Sequence, residues 1–314
     1  MNDGSKYAIG NGKIIAYCSN GNIEELFGPP YSSPSVFSLT TDTSDLSLQE
    51  RVAKTAIWKN FSQNVTTVDL CHPDALCICR KITALEKTVY NLALHDRIRM
   101  DTVRYYDMTG VYTTHTFAAL YHILPGNYIY NEYPLTLEQF FIITIDGRCT
   151  VNKYSTGNGQ EITCEGECEI RFIGGNTLEE AENNYYMVRD QSFQEFYHHT
   201  ESYWRDYFER QTVFKKLSGF YDEQDLSKIV ESTIINIKNQ QSAEGGVLAG
   251  HNYHLGYVRD QYGAYRCLLK LGCIDEARNI LNFYNEIFRV NGYVLNAQGM
   301  GVKGLFHFAE NDSV

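Results

Sequence analysis

Near residue 176 the chain changes its hydrophobic period, and that change decides what it can fold into. Before it, apolar residues come in short alternating runs broken by glycine, asparagine and aspartate. After it, they recur every three or four positions. Strands followed by helices exclude an alternating strand–helix sheet and point to a sandwich joined to a helical part.

Among the strands, Lys13 to Cys18 is a short apolar run, and Ser19-Asn20-Gly21-Asn22 supplies turn chemistry before Ile23 resumes. Further strands fit Thr66 to Leu70, Cys77 to Ile82, Val103 to Tyr106 and Thr116 to His122. Phe140 to Ile145 runs into Asp146-Gly147, a strong hairpin signal, and then into Cys149-Thr150-Val151. A second hairpin is expected within Ile162 to Phe172, turning at Glu165-Gly166-Glu167.

The helical part begins with a short helix at Thr177-Leu178-Glu179. A long amphipathic helix follows from Phe193 to Gln211, its broad apolar face carrying Phe193, Phe196, Tyr197, Tyr203, Trp204, Tyr207 and Phe208. Leu226 to Gln240 forms a third, with Asp225 or Ser227 as its cap. A fourth ends near Leu271-Gly272, where glycine suits the terminating turn. The fifth opens at Asp275-Glu276 and places Ala277, Ile280, Leu281, Tyr284, Ile287 and Phe288 at helical spacing.

With 314 residues, two domains are the default expectation. Lys+Arg is 27 against 38 Asp+Glu, a net charge of −11, which argues against a nucleic-acid or anionic-membrane partner. No apolar run reaches membrane-spanning length, and Met1 to Lys6 lacks the features of a secretory leader. Nine cysteines, an odd number, then point to reduced thiols and a cytoplasmic setting. Cys164 and Cys168 flank Glu-Gly-Glu, and Cys77 and Cys79 alternate along a strand. Neither pair has the partners that a zinc site needs, so no metal and no cofactor is expected.

The stretch richest in chemistry is Tyr253-His254-Leu255-Gly256-Tyr257-Val258-Arg259-Asp260, at a loop-to-helix junction. Arginine offers a rigid fork of donors and aspartate two acceptors, a pair suited to sugar hydroxyls. Gly245, Gly246, Gly250 and Gly256 allow close backbone approach around a concave site, and His251 and His254 lie beside it. The plainer reading has Asp260 capping the helix and Arg259 in a surface ion pair. Glu244, in the preceding glycine-rich loop, reads as solvent-exposed.

Several segments, in order, resemble the bacterial glucoamylase-like enzymes of glycoside hydrolase family 15. They are Ala8-Ile9-Gly10-Asn11-Gly12, Asn20-Gly21-Asn22-Ile23-Glu24, Ser33-Pro34-Ser35-Val36-Phe37, Ser202-Tyr203-Trp204-Arg205-Asp206, Tyr257-Val258-Arg259-Asp260, and Leu268 to Gly272 followed by Glu276-Ala277-Arg278. Tyr257 stands where that family usually carries tryptophan.

The resemblance implies a β + α architecture: an N-terminal β-supersandwich over residues 1–190, a helical linker over 191–220, and the first part of a six-hairpin α/α barrel over 221–314. It implies inverting hydrolysis of α-glucosides, with an oligosaccharide as substrate. Tyr257, Arg259, Asp260, Glu310 and Asp312 are then the expected substrate-binding residues. For Glu310 and Asp312, an ordinary helix start or, for one of them, an acid role remains open. The general acid and base are expected beyond Val314, which would leave the chain a fragment, inactive alone and prone to self-associate through an open barrel. An inverting disaccharide phosphorylase and a non-catalytic sugar- or partner-binding remnant are the alternatives.

Overall fold

The computed structural model describes residues 6–33, 35–41, 46, 48–94, 100–108, 115–123, 126–128, 131–133, 137–153, 159–211, 213, 223–250, 254–302 and 306–307. Fifteen strands come first: β1 (Tyr7–Gly10), β2 (Ile15–Ser19), β3 (Asn22–Phe27), β4 (Phe37–Thr41), β5 (Leu48–Arg51), β6 (Trp58–Phe61), β7 (Val65–Cys71), β8 (Cys77–Ala84), β9 (Thr88–Leu94), β10 (Met100–Met108), β11 (His115–Ile123), β12 (Gly126–Tyr128), β13 (Asn131–Tyr133), β14 (Leu137–Lys153) and β15 (Gly159–Gly175). Among the described residues five helices follow: α1 (Leu178–Val188), α2 (Phe193–Glu209), α3 (Glu223–Gln240), α4 (Val258–Leu271) and α5 (Ile274–Asn291).

Of these fifteen strands, all except β12 and β13 join one thirteen-stranded sheet, whose main path runs β1-β2-β3-β4-β9-β15-β8-β7-β6-β5. The sheet curls over so that its two ends meet. Tyr7 of β1 stacks on Trp58 of β6 with ring centroids 4.4 Å apart. Buried residues from both halves, among them Ile9, Ile14, Leu26, Leu39, Ile78, Ile82, Phe141 and Phe172, fill the space between them. A buried polar network crosses the same space. Arg80 bonds Asp69 and the Gly21 carbonyl, while Tyr7 Oη donates to Asp69 Oδ2 at 2.6 Å. Burial works against the Arg80 charge, and the Asp69 carboxylate more than offsets it, leaving the guanidinium harder to deprotonate than usual.

The two hairpins expected at Asp146-Gly147 and Glu165-Gly166 are not there. Both segments lie inside the 17-residue strands β14 and β15, which pair with each other from Phe140↔Gly175 to Lys153↔Gln160. Gly147, at φ 105°, marks a register shift in β14, and Gly166, at φ 134°, lies opposite it. A Cβ on Gly147 would sit 2.2 Å from the Glu167 carbonyl oxygen, so the close approach of the two strands requires glycine. The bend is where β15 changes partners: Gly159–Cys164 pair with β9, and Glu167–Ile173 pair with β8. Turn chemistry is used here to bend a paired strand rather than to reverse it.

Other turn and cap signals behave as expected, except at the start of α3. Asn20 and Gly21 take positive φ between β2 and β3. Thr177 caps α1, and Gly272 closes α4 in the left-handed conformation. Ser192 and Glu195 form a capping box on α2, one that the sequence reading did not name. Helix α3 starts at Glu223, so Asp225 and Ser227 lie inside it rather than at its cap.

Helices α1 and α2 cover the outer face of the sheet through Ala181, Tyr185, Val188 and Phe196, against Leu70, Cys77, Cys79 and Ile173. A separate core joins Trp204, Tyr207 and Phe208 of α2 to Ile234 and Ile235 of α3, Leu268 of α4, and Ala277 and Ile280 of α5. The β and helical parts meet through Tyr17, Phe27, Tyr31, Leu248, Phe283 and Met300. Asn239 at the end of α3 donates to the Ala8 carbonyl at 2.7 Å and accepts from Tyr31 through its own carbonyl. On α5 the expected apolar face is split. Ala277 and Ile280 are buried, whereas Leu281 and Phe288 point outward with Ile274. Among the described residues no helix is long and apolar enough to cross a membrane.

Candidate functional site

Arg259 and Asp260 occupy the first turn of α4, after an entry held by backbone bonds. A short strand, β16 (Gly256–Tyr257), pairs with β17 (Ala297–Gln298), which pairs in turn with β18 (Phe306–His307). Val258 N–H donates to the Asn296 carbonyl at 3.0 Å, and Tyr284 Oη donates to the Gly256 carbonyl at 3.1 Å. Tyr257 is the N-cap residue and makes no side-chain cap bond, so the Asp260 carboxylate sits within the first turn rather than capping it. There its charge complements the helix dipole. Arg259 and Asp260 are both solvent-exposed, and Tyr257 is half-buried against the β core.

Asp260 borders a groove of about 300 Å³ between α3, α4 and the Val247-Leu248-Ala249 backbone, with Gln240, Gly263, Ala264 and Cys267 along its walls. Gln261, next in sequence and buried, sets that backbone in place. Val247 N–H donates to Gln261 Oε1 at 2.9 Å, and Gln261 Nε2 donates to the Val247 carbonyl. Burial, reinforced by the nearby Asp260 charge, pushes the Tyr284 phenol well above its ordinary range, so it stays a donor. From the sequence Tyr284 was read only as part of an apolar helix face, and Gln261 had no assigned role. Only their place beside the Arg-Asp pair, or one helix away, distinguishes them from other polar residues.

The other candidates separate. His254 is a core residue: its ring stacks on Phe27 with centroids 3.5 Å apart and meets Tyr17 edge-on. Its Nδ1 lies 3.3 Å from the Tyr31 carbonyl, which can only accept, so the proton belongs on Nδ1. Glu244 is exposed and accepts from the Gly301 N–H at 3.0 Å. Gly245 and Gly246 serve packing rather than a ligand, because a Cβ on either would strike Asn279 or the Phe283 ring and Met300. Glu310, Asp312 and His251 lie outside the described residues.

All nine cysteines are free thiols, and Cys77 and Cys79 are fully buried in β8. Burial pushes the Cys77 thiol up to about 12, which keeps it protonated and inert. Among the described residues one group of ligand-type side chains comes together: His72, Asp74 and His199. It joins the β7–β8 turn to α2 across 127 positions of sequence, which is why no local motif announces it. His72 Nδ1 accepts from the backbone N–H groups of Asp74 at 3.1 Å and Ala75 at 2.9 Å. Its neutral ring therefore carries the proton on Nε2, which leaves no lone pair there for a cation. The cluster is a hydrogen-bonded chain.

No family model matches the sequence, and no curated protein matches it. Solved structures do match. A bacterial glucoamylase, determined in complex with acarbose, superposes with a TM-score of 0.65 at 12% identity, over 95% of this chain and 53% of its own. The chain thus spans about half the length of that enzyme. A family 92 α-mannosidase from Bacteroides thetaiotaomicron matches at a TM-score of 0.40 and 9% identity, over 76% of this chain and 36% of its own. The first likeness identifies a glucoamylase-like fold: a curled, sheet-rich part followed by helices.

Proposed function

We propose that the chain forms the sugar-holding start of a glycoside hydrolase that acts on α-glucosides by inversion. The observation that carries this reading is the fold shared with the acarbose-bound glucoamylase over 95% of the chain. The exposed Asp260 on the rim of an open groove, with Arg259 next to it in the first turn of α4, adds to it. From the same helix turn a guanidinium fork and a carboxylate can reach hydroxyls of one glucose unit, with the arginine donating and the aspartate accepting. Gln261 and Tyr284 hold the two backbone segments between which such a sugar would lie. Tyr257 would offer a flat face near the same ring.

Inversion needs a carboxylic acid and a carboxylate base about 6.5–9.5 Å apart. Asp260 takes neither role in this reading. Exposed in the first turn of α4, it serves as an acceptor for a sugar hydroxyl. Calorimetric titration of the purified chain with acarbose tests the reading. Binding that weakens at least tenfold in Asp260→Asn, with unchanged circular dichroism, supports it. Equal affinity in the two proteins, or no binding by the wild type, overturns it.

A further inference from the structure

We propose that His72 and His199 form a proton-gated latch that holds the first half of α2 against the β7–β8 turn while both rings are neutral and loosens it when a proton enters the pair. The argument begins with the partners of each ring nitrogen. Two backbone N–H groups point at His72 Nδ1, so that nitrogen must be the acceptor and Nε2 must bear hydrogen. His72 Nε2 lies 3.2 Å from His199 Nδ1, which must then accept. The remaining proton of His199 sits on Nε2, 3.2 Å from Asp74 Oδ2. Every nitrogen has one role, and the chain runs from the turn backbone through His72 and His199 back to Asp74.

Such a chain has no place for another proton. Protonating His199 puts an N–H on Nδ1 facing the N–H of His72, two donors with no acceptor between them. Protonating His72 puts an N–H on Nδ1 facing the amides of Asp74 and Ala75. Either event breaks the link between the turn and the helix, because a protonated imidazole has only donors.

The surroundings divide over that proton. From the turn, the Asp74 carboxylate favours charge on His72, and its Oδ2 lies 3.2 Å from His199 Nε2. From the sheet, Arg171 disfavours charge on His72, and from the connection before α2 the Gln191 side chain favours it. Glu169 is taken up by its ion pair with Arg171, and the neighbouring Cys71 thiol stays neutral because it is buried. His72 itself is held down to about 4, chiefly by burial and then by His199.

Hydrogen exchange across α2, with the chemical pH dependence of exchange subtracted, tests the latch. Amides of residues 193–200 should gain at least tenfold in opening between pH 7.5 and 5, while those of α5 change little. His199→Gln keeps an acceptor for His72 Nε2–H but cannot take a proton, and His199 is half exposed, so the variant should fold. Its α2 should stay closed down to pH 5. Ring-nitrogen NMR at pH 7.5 should show an unprotonated Nδ1 on both histidines. Equal opening in wild type and His199→Gln overturns the proposal, as does a pH-independent wild type. Zinc added at pH 7.5 that shifts both rings would overturn it too, because that requires the opposite tautomer on His72.

Discussion

Arg80 and Asp69 make a two-bonded ion pair between the curled halves of the sheet, Nε to Oδ1 at 2.6 Å and Nη2 to Oδ2 at 2.7 Å, with both side chains at 0% exposure. Removing one partner strands the other charge in the core. Arg80→Met should therefore cost about 3–5 kcal/mol in urea unfolding. Adding Asp69→Asn, which removes the charge and keeps an acceptor for Tyr7 Oη, should return part of that loss. A single-variant cost below about 1 kcal/mol would mean that the pair behaves like a surface one.

Gly147 gives a second stability test. At φ 105°, with the Glu167 carbonyl oxygen 2.2 Å from where a Cβ would stand, Gly147→Ala combines backbone strain with a clash. It should cost more than about 2 kcal/mol. Gly250→Ala, also at positive φ but with nothing within 4 Å of the added carbon, should cost only the strain. Equal losses in thermal unfolding would show that the strands do not approach so closely.

Gly263 separates stability from ligand binding. It lies inside α4 on the groove wall, with open space where a Cβ would be. Gly263→Ala should stabilise the helix by about 0.5–1 kcal/mol. The methyl group narrows the groove beside Asp260, so acarbose affinity should fall while the melting temperature rises. A tighter complex would mean that the sugar does not enter there.

Ile274, Leu281 and Phe288 form an outward stripe at seven-residue spacing on α5, at 45%, 52% and 56% exposure. Apolar stripes of this kind seek a covering surface. Changing all three to glutamine should reduce self-association in sedimentation velocity while each change alters stability by no more than about 0.5 kcal/mol. Unchanged sedimentation would place any association elsewhere.

Much of the architecture was legible because it rests on local periodicity. Alternation located β7, β8, β10 and β11, and the three-to-four-residue repeat located the helices. Asp146-Gly147 misled because a glycine that bends a strand and one that reverses it have the same local chemistry. Only the pairing partners of β15, far earlier in the chain on β8 and β9, tell them apart. The orientation of Leu281 and Phe288 was hidden for a related reason: spacing gives an apolar arc but not which part of it meets a neighbour. At the candidate site, Arg259 and Asp260 were visible as a motif. Gln261 clamping Val247 and His72 reaching His199 depend on contacts that no short window contains.

Because β15 is stitched to β9 along one half and to β8 along the other, the sheet has no seam at which to part. A tear begun in either half meets a rivet shared with the other. The β part should therefore yield to heat or pulling force as a single body, with no half-open form that bares the strand edges at the bend.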